Sequence, residues 1–339
     1  MKNILFTAIT IILHVSVIKA QDFHFSQYEN NLSMLNPAAT ANIDGSLKIN
    51  SCFKNQWGQI SAKAYTTSGF SADFALLKPT AKNKKLNVGL WVLNDVSGKS
   101  KYGTVVGGIN IAASQTINSK NTLCAGIMIG MGQRSANLSN LAWDNQYADG
   151  AYSAALSSKE SVYAASNKYL DVGVGIIWKY LQRNDLPVTF GLSLTHPNAS
   201  NKALGTGTDK MVAKGVAFIS LDLLVKKIAG KGMFALAPKL LITQQAGHRE
   251  TIPGLFAKYI IKAGAQNVKI GLSDAFFDFG IYSRMQDALI LASSFGAKGF
   301  KLGVSYDINT STLTQVSKYK GGLELSLSYN FINDKRVKL

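Results

Sequence analysis

Apolar and polar residues alternate with a period of two along most of the chain beyond residue 45. Between Leu323 and Phe331 every odd position is apolar, whereas Glu324 and the other even positions are polar. Side chains of a strand point alternately to its two faces, so this pattern predicts strands with one apolar and one polar face. We predict fourteen such strands, at residues 46–54, 63–75, 85–94, 102–115, 121–133, 169–180, 187–195, 215–226, 232–243, 254–263, 275–284, 287–296, 299–308 and 322–332.

The composition decides between the two folds that alternating strands can build, a soluble sandwich and a membrane barrel. Charged residues make up 16% of the chain, against about 25% in soluble domains. Gly, Tyr and Phe are abundant, with 30, 13 and 16 copies. A tilted strand of about ten residues rises ~25 Å, the height of the apolar band of an outer-membrane barrel. We therefore predict an all-β fold, a transmembrane outer-membrane β-barrel of about fourteen antiparallel strands.

The first twenty residues have the pattern of a secretory signal peptide. Lys2 supplies a positive charge, residues 4–15 form an apolar run, and Ala20 is small at the predicted cleavage site. The run is shorter than the ~20 apolar residues of a membrane-spanning helix. We predict a signal peptide at 1–20, a non-strand N-terminal segment at 21–45 in the periplasm or the lumen, the barrel at 46–332 and a tail at 333–339.

The even number of predicted strands determines on which side of the membrane we expect each connection to lie. Single-chain bacterial barrels have even strand numbers and both termini in the periplasm. The long connections 134–168, 196–214 and 309–321 then face outward, as such barrels require. Residues 266–273 could count as a fifteenth strand, but parity places them in a turn, and a looser reading with 12 or 16 strands also fits the pattern.

The chain carries a formal net charge of +17. Lysines gather near the predicted inner turns, at Lys78, Lys82, Lys84, Lys85, Lys226, Lys227 and Lys231. In an exported protein such clusters suit either anionic lipid headgroups or the docking of an acidic periplasmic partner. No motif typical of nucleic-acid binding is present, so we expect outer-membrane lipid and proteins as partners and no nucleic acid.

The sequence gives no pattern typical of a catalytic or metal site. His24, His196 and His248 are far apart and lack the spacing of metal ligands. Cys52 and Cys124 fall in separate predicted strands, where we interpret them as small free residues. No nucleophile elbow or carboxylate pair is recognisable. We therefore expect no enzyme activity, no cofactor and no metal.

Several stretches resemble one known family when they are taken in chain order. They are DFHFSQYENNLSMLNPAATA at 22–41, FKNQWGQI at 53–60, LAPKLLI at 236–242, IYSRMQDAL at 281–289, LGVSYDINTSTL at 302–313 and GGLELSLSYNF at 321–331. Together they are similar to the PorP/SprF family of type IX secretion system outer-membrane proteins. Lys54, Val304 and Gly322-Leu323 depart from that family's Arg, Tyr and Ser-His.

The resemblance implies a barrel in the outer membrane of a Gram-negative, Bacteroidetes-type bacterium. It further implies a non-enzymatic role in type IX secretion, in which the protein supports secretion or surface attachment of a cognate adhesin or other cargo, or docks the periplasmic machinery. The alternative function is an outer-membrane diffusion channel or hydrophobic-solute transporter. The family offers no catalytic residues to carry over.

Two groups of residues are candidate sites. Contacts with a partner or with a segment closing the barrel are predicted at Phe25, Tyr28, Asn36, Pro37, Asn55, Gln56 and Trp57. In this hypothesis the N-terminal segment folds into the barrel mouth and closes the pore from the periplasm. In the simpler interpretation Asn36-Pro37 is a plain turn and Trp57 belongs to an aromatic girdle. Asp307 and Glu324 are predicted to face the lumen and to pair with Lys or Arg, because an unpaired buried carboxylate is costly.

Overall fold

The computed structural model describes residues 22–43, 45–60, 65–76, 84–138, 141–159, 164–181, 187–205, 207–228, 232–261 and 275–331. The predicted signal peptide, the stretch 266–273 and the predicted tail 333–339 lie outside the described residues.

Fourteen antiparallel strands form the wall, in agreement with the fourteen predicted segments. They are β1 (Leu47–Gln56), β2 (Tyr65–Ala75), β3 (Lys84–Ser97), β4 (Tyr102–Thr116), β5 (Asn121–Asn137), β6 (Ala164–Leu181), β7 (Pro187–Thr195), β8 (in two pieces, Lys214–Leu221 and Leu223–Ile228), β9 (Gly232–Gln245), β10 (His248–Ile261), β11 (Ala275–Arg284), β12 (Ala288–Ala297), β13 (Phe300–Asn309) and β14 (Lys320–Phe331). Each pairs with its neighbours in sequence, and both pieces of β8 pair with β9.

The first and last strands close the wall into a barrel. β1 and β14 pair in antiparallel register from Leu47 opposite Phe331 to Gln56 opposite Gly322. Because the barrel is closed at this pair, neither strand leaves backbone N–H and C=O groups at an open edge, where a lipid bilayer could not provide hydrogen bonds.

Alternation along the strands separates a lipid-facing surface from the lumen. Ile109 and Ile129 are 49% and 56% exposed, whereas Asn110 and Met128 beside them are 0% and 4% exposed. The apolar positions therefore cover the outside of the barrel, as the sequence pattern predicts. Among the described residues no helix is long and apolar enough to cross a membrane.

The two ends of the barrel differ in their connections. The connections β5–β6, β7–β8 and β13–β14 are long and lie at the end where β1 finishes, which we call the outer end. β5 and β6 contain 17 and 18 residues, more than the predicted segments. Arg134 pairs with Asn167 in this extension, because backbone pairing outside the lipid does not need apolar side chains. A small hairpin, Tyr147–Ala148 with Ala151–Tyr152, follows in the connection.

The N-terminal residues 22–43, which we call the luminal segment, lie inside the barrel. Three short helical turns, Tyr28–Asn31, Leu32–Leu35 and Pro37–Ala41, fold the segment into a compact unit. Ala38 is fully buried and joins a core with side chains of the barrel interior. Val216 and Phe218 of β8 belong to this core, which explains why that strand is apolar on both faces.

The lipid-facing surface yields a direct prediction. Ile129→Arg should lower the free energy of unfolding by about 2–4 kcal/mol, because the charge would lie near the bilayer midplane. Ser135→Arg, on the same face of β5 but near its outer end, is the matched control and should cost less than ~1 kcal/mol. Urea titration in lipid bilayers measures both values, and equal losses would contradict the assignment of this face to lipid.

Candidate functional site

The luminal segment is held by a carboxylate of the last strand. The backbone N–H groups of Ser26 and Gln27 donate to the two carboxylate oxygens of Glu324 at 2.6 and 2.8 Å. Glu324 is 0% exposed, so water does not compete for these bonds. A carboxylate accepting two backbone N–H groups forms strong charge-assisted hydrogen bonds.

A second carboxylate, Asp307 of β13, lies at the centre of a cluster of charged side chains. It accepts hydrogen bonds from the Ser26 hydroxyl at 2.7 Å and from Arg284 Nη2 at 2.9 Å, and Lys54 Nζ lies 3.3 Å away. Lys54 also donates to the carbonyl of His24 at 3.4 Å. Asp307 is therefore paired with cations of β1 and β11, while Glu324 is satisfied chiefly by backbone N–H groups.

Arg284 extends the cluster towards the outer end. Its Nε lies 3.1 Å from Glu250 and its Nη1 lies 2.8 Å from Asp287. His24 Nδ1 lies 3.6 Å from the same Glu250 carboxylate. Burial lowers the pKa of His24 well below its ordinary value, and the nearby charges of Arg284 and Lys54 lower it further. His24 is therefore neutral at pH 7, and its contact with Glu250 is not an ion pair.

The first described residue, Asp22, is fastened near the outer end. His196 Nε2 lies 2.9 Å from Asp22, and its Nδ1 lies 2.6 Å from Asp171 of β6. Gln245 and Asp22 exchange two hydrogen bonds of 3.0 Å. Burial alone lowers the pKa of His196, but the hydrogen bonds to the two carboxylates outweigh it and raise the pKa to about 9. His196 is therefore a cation that bridges two acids.

The other side of the luminal segment has its own charged contacts. Glu29 accepts Lys239 Nζ at 2.6 Å, and Lys301 donates to the Asn30 side chain at 3.0 Å. Burial alone raises the pKa of Glu29, but Lys239 and Lys301 outweigh it and lower that pKa. Glu29 is therefore an anion that ties the segment to β9.

The corner at Asn36-Pro37 fits against the barrel wall. Asn36 accepts the N–H of Ala38 at 3.0 Å and donates to the carbonyls of Leu192 and Ile176 at 3.0 and 3.2 Å. A Cβ on Gly175 would collide with the Asn36 side chain. Glycine at this position therefore allows close approach of the corner to β6.

The predicted contact residues separate into two groups. Phe25, Tyr28, Asn36 and Pro37 are buried inside the barrel. Tyr28 packs on Tyr282 of β11, with ring centroids 5.8 Å apart. Asn55, Gln56 and Trp57 instead lie at the outer end of β1 and are partly exposed. The Trp57 ring packs edge-on against Tyr65 at 5.2 Å.

The position of the luminal segment differs from the expected one. The sequence hypothesis placed it at the periplasmic mouth, but Asp22 contacts His196, at the outer end of β7. The segment therefore runs from the outer half of the lumen back to the start of β1 at the inner end. The physical reason is that its polar partners, Asp307 and Glu324, lie in the outer halves of β13 and β14.

Sequence reasoning missed most of the partners in the barrel wall. Lys54 and Arg284 belong to stretches that carry the family resemblance, but their pairing with Asp307 was not predicted. The clasp of Asp22, Asp171 and His196 leaves no local signal, since Asp22 and His196 are 174 positions apart. The signal that the sequence does offer for such partners is an isolated polar residue at a lumen-facing position of a strand.

No group of three or more His, Cys, Asp or Glu that could hold a metal ion occurs in the described part of the chain.

Residues 17–329 match the family model described as type IX secretion system membrane protein PorP/SprF. The chain belongs to the PorP/SprF family. With the closed barrel and its apolar exterior, this membership places the protein in the outer membrane of a Bacteroidetes-type bacterium. No curated protein matches the chain.

Several solved structures align with most of this chain. The CymD monoaromatic hydrocarbon channel aligns with a TM-score of 0.48 at 12% identity, over 93% of this chain and 95% of that one. The Ralstonia pickettii toluene transporter TbuX aligns with a TM-score of 0.45 at 9% identity, over 88% and 92%. The translocator domain of autotransporter NalP from Neisseria meningitidis gives 0.42 at 10% identity, over 90% and 96%.

Substitution of Glu324 tests how much this carboxylate contributes to holding the luminal segment in the barrel. Glu324→Leu leaves two buried N–H groups without an acceptor, and each such loss costs about 1–3 kcal/mol. We expect the free energy of unfolding to fall by about 2–6 kcal/mol and residues 22–43 to become accessible to protease. Glu324→Gln keeps the size and one acceptor and should fall between wild type and Glu324→Leu. Stability and protection equal to wild type in Glu324→Leu would contradict the assigned role.

The stabilising contribution of the Asp22–His196–Asp171 interaction should depend on pH. The pKa of His196 in the folded protein, about 9, lies above the ordinary value of 6.5. Protonated His196 therefore stabilises the fold fully below pH 6.5, and this contribution is lost as the pH rises through about 9. The stability difference between wild type and His196→Gln should reach up to about 3 kcal/mol at the low end of this range.

Urea titrations across the same pH range measure that difference. His248→Gln, which changes an exposed histidine at the outer end, is the matched control and should leave the pH profile unaltered. A difference between wild type and His196→Gln that stays constant with pH would refute the bridging cation.

Proposed function

We propose that this protein is a non-enzymatic component of the type IX secretion system that supports the secretion or surface attachment of a cognate adhesin or other cargo protein. Membership of the PorP/SprF family supports the system and the membrane. The observation that supports this role in handling cargo is that the luminal segment occupies the interior of the barrel. Contacts of Ser26 with charged side chains hold the luminal segment to β1, β11, β13 and β14, so the barrel interior is built around a protein segment.

This arrangement argues against the alternative of a diffusion channel or hydrophobic-solute transporter. Glu324, Asp307 and Arg284 lie in the lumen beside the segment, where they are 0%, 3% and 4% exposed and bonded to each other or to the segment. Displacing the segment would leave buried charges without partners, which is strongly unfavourable. The hydrocarbon channel and the toluene transporter named above are similar only in the course of the chain.

A docking role for the periplasmic machinery is a second candidate. It rests on lysines at the inner end, where Lys84 is exposed at the start of β3 and Lys226 is exposed near the end of β8. Lys78, Lys82 and Lys231 of the predicted clusters lie outside the described residues. Charge of this sign would attract an acidic partner surface.

Deletion of the gene tests the proposed function. We expect the mutant to lose surface display of one cognate type IX cargo, with other cargo displayed normally and the membrane otherwise intact. Labelling of intact cells with a membrane-impermeant reagent, followed by mass spectrometry, measures display of every cargo. Normal display of all type IX cargo in the mutant would refute the proposal.

A further inference from the structure

The first and last strands of the described barrel wall, β1 and β14, are neighbours that no connection along the chain joins. By contrast, β12 and β13 are connected by Lys298 and Gly299 alone. A short turn of this kind fixes which residues of the two strands lie opposite each other. The register of β1 on β14 has no such turn, so other contacts in the barrel must select it.

The apolar pattern of the two strands does not select that register. Leu323, Leu325 and Leu327 of β14 are all exposed on the lipid side, and Phe53 of β1 lies opposite Leu325. A shift of one residue would turn every side chain to the other face, but a shift of two residues would preserve the apolar exterior. Phe53 would then lie opposite another leucine, so the lipid-facing surface distinguishes poorly between such registers.

The lumen face of the same pair carries opposite charges at one level. Lys54 of β1 lies directly opposite Glu324 of β14. The next pair on this face, Cys52 with Ser326, is uncharged. A shift of two residues would displace Glu324 from Lys54 by about 7 Å along the strand. Contacts that involve both charged residues therefore distinguish the native register from the shifted ones.

The luminal segment makes such contacts with both strands. The N–H groups of Ser26 and Gln27 donate to the carboxylate of Glu324 at 2.6 and 2.8 Å. Lys54 Nζ donates to the Ser26 hydroxyl at 3.2 Å and to the carbonyl of His24 at 3.4 Å. A displacement of about 7 Å between the strands exceeds the reach of a hydrogen bond, so the shifted pairing would break one set of bonds or the other.

The Gln27 side chain adds contacts along β14. Its Nε2 donates to the backbone carbonyl of Glu324 at 3.3 Å, and its Oε1 accepts a hydrogen bond from the Ser326 hydroxyl at 2.9 Å. A Cβ on Gly303 of β13 would collide with Gln27 Oε1. Glycine at this position therefore lets Gln27 approach β14 closely.

We propose that the luminal segment selects the register in which β1 and β14 close the barrel. The segment precedes β1 in the chain and binds β14 through Glu324 and Ser326. It thereby supplies the link between the first and last strands that a turn supplies between the others. Without these contacts, the barrel would also close with β14 shifted by two residues. This role is independent of the cargo.

Disulfide formation between lipid-facing positions reports the register. Ser51 lies opposite Leu327 in the native pairing, and a shift of two residues would place Leu325 or Tyr329 there instead. The full chain, with serine in place of both native cysteines, carries Ser51→Cys together with Leu327→Cys, Leu325→Cys or Tyr329→Cys. After refolding into phosphatidylcholine vesicles and oxidation, mass spectrometry measures the yield of each linked pair.

The substitutions of the luminal segment are compared in this cysteine series. With the segment unaltered, we expect the link between positions 51 and 327 to dominate. Ser26→Pro removes both the N–H and the hydroxyl of Ser26, and the two shifted links should rise at least about tenfold, because buried bonds to Glu324 no longer favour the native register. Glu29→Gln is the matched control, since it weakens the contact with Lys239 of β9 instead, and it should leave the links unchanged.

Two outcomes overturn the proposal. The first is an unchanged pattern of links in a folded Ser26→Pro barrel. The second is an equal rise of the shifted links in Ser26→Pro and Glu29→Gln, because general loosening of the segment would then explain the result. If Ser26→Pro does not give a heat-modifiable barrel, Ser26→Ala removes the hydroxyl alone. A smaller rise is then expected, and the same two outcomes overturn the proposal.

Discussion

Burial of two carboxylates inside the barrel is the constraint on which the rest of the structure depends. Glu324 and Asp307 lie on the lumen faces of neighbouring strands and are 0% and 3% exposed. Such groups are tolerated only with close partners. The backbone and hydroxyl of Ser26, together with Lys54 and Arg284, provide those partners. The barrel interior and the luminal segment therefore stabilise each other, and neither is satisfied alone.

The stretches that carry the family resemblance converge on this contact. Phe25 to Tyr28 lie against β13 and β14, and the Asn36-Pro37 corner lies against β6 and β7. The stretch 281–289 supplies Arg284, and the last two strands supply the acids. The stretches that resemble the family are therefore brought together in one site of the folded protein. Lys54, where the family has Arg, still reaches Asp307 at 3.3 Å, although an ammonium lacks the guanidinium fork that binds a carboxylate through two donors.

The wall of the barrel could be predicted from sequence because the bilayer imposes a period of two on every strand. The extra length of β5 and β6 could not, because those residues leave the lipid and lose the pattern. The path of the luminal segment was also beyond the pattern. Its short helical turns have no period, and its main bond joins Ser26 to Glu324 across 298 positions. Asp307 and Glu324 were recognisable as lumen acids, but the identity of Glu324's partner depends on the fold.

Single-channel conductance in a planar bilayer measures whether the luminal segment closes the pore of the barrel. Wild-type protein is compared with a variant lacking 22–41 that still gives a folded, heat-modifiable barrel. We expect little or no current for wild type and a steady open-channel current for the variant. Equal currents in the two proteins would contradict closure of the pore by the segment.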